Sequence, residues 1–117
     1  MTGQLKEEYD ALDVLATTLP AGTLSGAPKI RAMEIIAELE KTSRGLYGGA
    51  ICRFDLNDDF DSCIAIRTAI IQDNIATLRT GAGIVFDSDP EKEAQETYQK
   101  AHGFLEALKS AHGESVT

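Results

Sequence analysis

Four groups of residues have the types and spacing to do chemistry. Arg67 stands in DSCIAIRTAII at 61–71, on the same strand parity as Cys63, Ala65 and Ala69. A guanidinium among small side chains can meet a carboxylate with two parallel hydrogen bonds. The plainer reading is an edge arginine in solvent, or one paired with Asp61. Gly81-Ala82-Gly83 can turn bare backbone N–H groups toward an anion, or can simply bend a strand. Glu93 and Glu96 lie three apart at the start of an expected helix, and so share one side of it. Two carboxylates there suit a hard cation such as Mg²⁺, or they complement the positive helix end. The loop PAGTLSGAP at 20–28 holds Thr23 and Ser25 among two glycines and two prolines. That is more than a connector needs, and loops often carry function. The Gly-Lys-Ser/Thr ending of a phosphate-binding P-loop is absent from it. His102 and His112 have no metal-ligand spacing with Cys52 and Cys63.

Composition narrows the partners. The chain has 117 residues, 43% apolar and 26% charged, the profile of one folded domain. A net charge of −8 makes it a poor binder of nucleic acid. No apolar run approaches the roughly 18 residues needed to span a bilayer, and the opening MTGQLKEEYD does not read as a signal peptide. A cytoplasmic location is expected, with Cys52 and Cys63 as free thiols flanking a hairpin turn.

The elements that must position these residues follow from periodicity. Tyr9, Leu12, Leu15, Ala16 and Leu19 line one face of a helix expected over 5–19, ended by Pro20. A second helix is expected over 28–40, with Pro28 in its first position and an apolar stripe of Ile30, Met33, Ile36 and Leu39. A stripe so wide implies cover on more than one side. Strands are expected at 48–54, 60–71 and 75–86, the last broken at Gly81–Gly83, with turns at 55–59 and 72–74. A last helix is expected over 90–109, opened by Ser88 and Glu91 at capping-box spacing and by Pro90. A tail from residue 110 reads as disordered. The order α-α-β-β-β-α predicts an α+β fold with helices on an antiparallel three-stranded meander.

Taken in order, LPAGTLSGAPKIRAMEIIAELE (19–40), GLYGGAICRFD (45–55), DSCIAIRTAII (61–71) and GAGIVFDSDPEKEAQET (81–97) resemble the chorismate-binding enzymes. The wording is most similar to that of the anthranilate synthase large subunits. The resemblance covers nearly the whole chain and identifies it with the C-terminal part of the larger α/β-sandwich fold of that family. It implies chorismate contacts at Tyr47 and Arg67, a substrate-carboxylate grip at Gly81, Ala82 and Gly83, and Mg²⁺ at Glu96 with Glu93 beside it. It also implies, for the complete enzyme, conversion of chorismate to anthranilate and pyruvate in tryptophan biosynthesis, with ammonia from a glutamine amidotransferase subunit. The family's acid–base residues and a further metal-binding glutamate lie upstream of the region matched, so a partner portion is implied, and this chain alone is expected to be inactive and to self-associate. Arg53 stands where the family often has an aromatic residue. The alternatives are aminodeoxychorismate or isochorismate chemistry, or a non-catalytic folding or interaction module.

Overall fold

The computed structural model describes residues 4–57 and 59–112. Its contacts divide the chain into two compact units, residues 1–65 and 66–117.

The first unit opens with α1, Ala11–Thr18. The expected helix from residue 5 starts later because Asp10 caps it. The Asp10 carboxylate accepts from the N–H groups of Leu12 and Asp13 at 2.8 and 3.0 Å, and Asp13 reaches back to the Asp10 N–H at 3.0 Å. That reciprocal cap leaves Tyr9 outside the helix, not on its face. The expected loop at 20–28 contains a single helical turn, α2, Gly22–Ser25. Helix α3, Lys29–Leu39, begins one residue later than expected, and Pro28 is its N-cap residue. Strands β1, Ala50–Phe54, and β2, Phe60–Ile64, form an antiparallel hairpin, with Phe54 against Phe60 at 4.8 Å between ring centroids. In this register Cys52 faces Ser62 and Cys63 faces Ile51, so the two free thiols project from opposite sides.

The second unit pairs β3, Ala69–Gln72, with β4, Ile75–Leu78, across a turn at Asp73 and Asn74. Both turn residues have left-handed φ, 51° and 60°, the geometry that suits the twist of a two-residue hairpin. Helix α4 runs from Pro90 to Ala111. Asp89, and not Ser88, caps it, accepting from the Lys92 N–H at 3.0 Å. The helix passes through Ser110 and Ala111, and residues 113–117 of the expected tail lie outside the described residues.

The α+β composition is as the sequence implies, but the sheet is divided. The long second strand breaks after Ile64, where Arg67 takes a left-handed φ of 52°, and no strand covers 84–86. The result is two two-stranded sheets, not one three-stranded meander. Positive φ stops the alternation of an extended chain, so Arg67 does not share a strand face with Cys63 and Ala69. Ala65, expected on a roomy face, is the one buried apolar residue among those described. Helix α3 leaves the two ends of its apolar stripe uncovered, Ile30 at 78% and Leu39 at 73% exposed, while Ile36 in its middle is half-buried.

Candidate functional site

In the first unit the residues around Tyr47 are built on glycines with left-handed backbones. Gly45 and Gly48 have φ of 59° and 82°. The Tyr47 N–H donates to the Arg44 carbonyl at 3.1 Å, and the Gly49 N–H to Leu46 at 3.0 Å, making two overlapping turns. The Gly48 N–H then donates to Ala65 at 3.0 Å while the Ala65 N–H donates to Gly49 at 2.9 Å. Two residues oppose one, a bulge whose first member is a left-handed glycine. It turns the chain at the end of the β1–β2 hairpin and leaves Tyr47 half-buried.

Tyr47 lines a pocket of about 250 Å³ with Leu24, Ser25, Met33 and Arg44. Arg44 is its most connected side chain. Its Nη1 donates to the Leu24 carbonyl at 2.8 Å, its Nη2 and Nε donate to the Glu40 carboxylate at 2.6 and 3.0 Å, and its guanidinium carbon lies 5.8 Å from the centre of the Tyr47 ring. The Glu40 hydrogen bonds hold the Arg44 pKa above its ordinary value, against the opposing effect of burial. Beneath the loop, buried Ser25 donates to the Ala21 carbonyl at 3.0 Å, and the Lys29 ammonium donates to the Pro20 carbonyl and to the Ser25 hydroxyl. Gly26, at φ 86°, leaves only 2.9 Å between an added Cβ and the Cβ of Ala32. These contacts explain why the loop at 20–28 holds the residues it does: Gly26 permits the close approach to α3, and Ser25 ties the turn from within.

The second unit gathers Gly81, Glu93 and Glu96 around the start of α4. Lys100 joins them: its Nζ donates to the Gly81 carbonyl at 3.0 Å and lies 2.5 Å from Glu96 Oε1. The Thr80 hydroxyl donates to the Thr97 carbonyl at 3.1 Å. The segment is thus pinned to the helix on both sides of the Thr80–Gly81 bond. Among the described residues, the N–H groups of Gly81, Ala82 and Gly83 have no hydrogen-bond partner. Neither glycine is left-handed, so the stretch is not a concave nest of alternating conformations; nothing lies within 4 Å of an added Cβ at Gly83, whose face is open.

Glu93 Oε1 accepts from the Ser88 hydroxyl at 2.7 Å, which holds that carboxylate near the helix start. Glu96, about half exposed, pairs with Lys100 through Oε1. Carboxylate oxygens are the donor type a hard cation such as Mg²⁺ takes; here Glu93 is engaged by Ser88 and Glu96 by Lys100. Among the described residues no group of three or more histidine, cysteine or acidic side chains that could hold a metal ion is gathered.

Arg67 is exposed and makes no hydrogen bond or ion pair with another described side chain; the expected pairing with Asp61 does not form. Because Ala69 pairs with Leu78, the segments carrying Arg67 and Gly81 leave the β3–β4 hairpin at the same end. Tyr47 belongs to the first unit. The sequence reading missed Lys100, Thr80 and Arg44. Glu96 and Lys100 at i, i+4 with the acid first was a legible helix pair; the reach of Arg44 to Leu24, twenty residues earlier, had no local signal.

The chain is similar to known proteins over most of its length. Residues 1–106 match the family described as chorismate binding enzyme. The chain is 54% identical over 120 residues to a Haloarcula marismortui protein named anthranilate synthase component 1 2, covering 99% of this chain and 22% of that one. It is 53% identical over 105 residues to anthranilate synthase component 1 of Neisseria meningitidis serogroup B (90% and 21%). It is 54% identical over 109 residues to the Acetivibrio thermocellus protein of the same name (93% and 22%). The chain thus spans about a fifth of the length of the curated relatives it matches. With its motifs, their order and a match over most of its length, the chain belongs to the chorismate-binding enzyme family.

Proposed function

We propose that this chain supplies the substrate-gripping and metal-side portion of an anthranilate synthase active site. In its complete context that site makes anthranilate and pyruvate from chorismate, as a step toward tryptophan, with ammonia delivered by a glutamine amidotransferase partner. The observation that carries the reading is the segment at Gly81, pinned to α4 through Thr80 and Thr97 and through Lys100, which also pairs with Glu96. It is supported by identity of about half to relatives named for that activity.

Chorismate carries two carboxylates. In this reading the N–H groups of Gly81, Ala82 and Gly83 hold one of them, and the exposed Arg67 guanidinium meets substrate by the two-bond geometry that arginine offers a carboxylate. By the resemblance, Tyr47 is a further chorismate contact. Glu93 and Glu96 would hold Mg²⁺, which when bound neutralises the other carboxylate and favours departure of the ring hydroxyl. Lys100 keeps Glu96 in place and offsets its charge. The acid–base groups of the reaction come from elsewhere, since each typically supplies about 10²–10⁴-fold in rate and the resemblance assigns none to this chain.

The test is a chorismate turnover assay, with Mg²⁺ and an ammonium salt as the nitrogen source, on the pure chain and then on the chain mixed with an upstream portion of a relative. The expected result is no product alone and anthranilate on mixing. Turnover by the chain alone would overturn the division of roles, and a different aromatic product on mixing would move the assignment to aminodeoxychorismate or isochorismate chemistry.

A further inference from the structure

The contacts of Arg44 point to a role no family resemblance assigned. We infer that Arg44 is the positioning residue for Tyr47, clamping that ring, the Leu24 carbonyl and the end of α3 into one unit. Tyr47 sits between two left-handed glycines, and its turn is held by the backbone bonds described and by the Gly45 N–H donating to the Ser43 hydroxyl at 3.2 Å, none of which acts on the ring. Glycine-flanked turns are permissive, so the backbone alone leaves the ring direction weakly set. The guanidinium supplies the missing constraint. It lies 5.8 Å from the ring centre, within the range of a cation–π contact. It cannot follow the ring, because three of its nitrogens are committed: Nη1 to Leu24, and Nη2 and Nε to Glu40. The planar fork is what makes this possible, since a lysine ammonium could satisfy either Leu24 or Glu40 but not present a rigid plane to both.

The same clamp fixes the loop. The Leu24 carbonyl belongs to the one-turn helix α2, and Gly48, next to Tyr47, would place an added Cβ 3.4 Å from the Leu24 side chain. Tyr47 and the 22–26 turn are therefore held relative to each other by Arg44 and by direct packing. Glu40, just past α3, orients the guanidinium with a 2.6 Å ion pair that is only partly exposed.

Any consequence for chorismate rests on the proposal that Tyr47 contacts substrate, and the experiment separates the two claims. The chain has no tryptophan and three tyrosines, so ring-labelled tyrosine gives three resolvable NMR signals, with Tyr47→Phe assigning the one of interest. The positions of that signal and of the Leu24–Gly26 amides are compared in the wild type, Arg44→Lys and Glu40→Gln. Both substitutions are expected to shift the Tyr47 ring and the Leu24–Gly26 amides toward disordered values while β1–β2 amides stay in place. An unmoved Tyr47 signal in both variants overturns the inference, and so does an equal disturbance of the hairpin, which would mean general unfolding. In the mixed enzyme, Arg44→Lys should raise the chorismate KM, by up to about a hundredfold for a displaced contact, more than it lowers kcat. Adding it to Tyr47→Phe should cost nothing further; additive losses would also overturn the inference. If Tyr47→Phe itself leaves KM unchanged while the NMR shifts appear, Arg44 still positions Tyr47 and the substrate contact proposed for Tyr47 falls instead.

Discussion

Arg67 occupies a backbone geometry that only glycine adopts without penalty. A non-glycine residue in left-handed φ costs about 1–2 kcal/mol, and its 52° is offset by no hydrogen bond from its own side chain to a described residue. Strain held without a local reward often marks a functional position. Two substitutions separate function from fold. Arg67→Gly should raise stability in chemical denaturation by roughly 0.5–1 kcal/mol, and in the mixed enzyme it should abolish efficient chorismate use. Arg67→Lys should leave the denaturation midpoint alone yet lower kcat/KM by about ten- to a hundredfold, since a charge-assisted bond is worth about 1.5–3 kcal/mol. Near-normal kinetics in the lysine variant would remove Arg67 from the substrate site. At Glu96, replacement by Gln removes one of the two proposed Mg²⁺ ligands. Half-saturation by Mg²⁺ in the turnover assay should rise at least tenfold, as for loss of metal-site partners, and an unchanged Mg²⁺ requirement would argue against the carboxylate pair. The Arg44–Glu40 pair adds a pH statement. A pKa raised in the folded state gives stability that is full below the unfolded value and lost only as pH rises through the folded one. On the arginine side, then, the clamp persists up to strongly alkaline pH.

Glycines show how the elements constrain substitution in opposite directions. At Gly26 the left-handed φ of 86° and the 2.9 Å approach to the Ala32 Cβ both oppose a side chain, and that Cβ is a rigid neighbour. Gly26→Ala should therefore destabilise the first unit by about 1–3 kcal/mol, visible as a lowered denaturation midpoint. Gly103 lies inside α4, where nothing stands within 4 Å of an added Cβ and φ is ordinary. Gly103→Ala should instead stabilise by roughly 0.5–1 kcal/mol, the helix-interior difference between the two residues. Loss of stability at position 103, or none lost at 26, would contradict the backbone geometry described here.

For the whole molecule the governing fact is how little apolar surface is covered. Among the described residues only Ala65 is a buried apolar side chain, while Ile30, Leu39, Ile71, Ile84 and Phe86 stand in the open. Contiguous exposed apolar surface is usually an interaction site, and two-stranded sheets have unpaired edges that invite further pairing. The purified chain is expected to self-associate, with light scattering giving a mass above 12.6 kDa that grows with concentration. A monomer persisting at high concentration would count against this. An upstream portion of a relative should compete with self-association, because it offers the same apolar faces their cover.

The sequence alone determined the local elements, the α+β class and the family. Capping residues, proline positions and apolar periodicity act over three or four residues, so α3, α4 and both hairpin turns were legible within a few positions, while α1 was legible at its end but starts six residues later than expected, at the Asp10 cap. The residues proposed for the site, Gly81–Gly83, Glu93 and Glu96 among them, were named from motif wording, and the kinetic and Mg²⁺ measurements above are what test them. What the tertiary structure decided was everything set by distant contacts. The alternation through 60–71 read as one strand, yet the chain turns at Arg67, since a period-two pattern does not record the sign of φ. The joining of Gly81 to α4 through Lys100, and of Tyr47 to Leu24 through Arg44, depends on where a long flexible side chain finds a carbonyl. No spacing rule encodes that meeting, because hydrogen bonds between segments are chosen by the folded geometry and not by the order of residues.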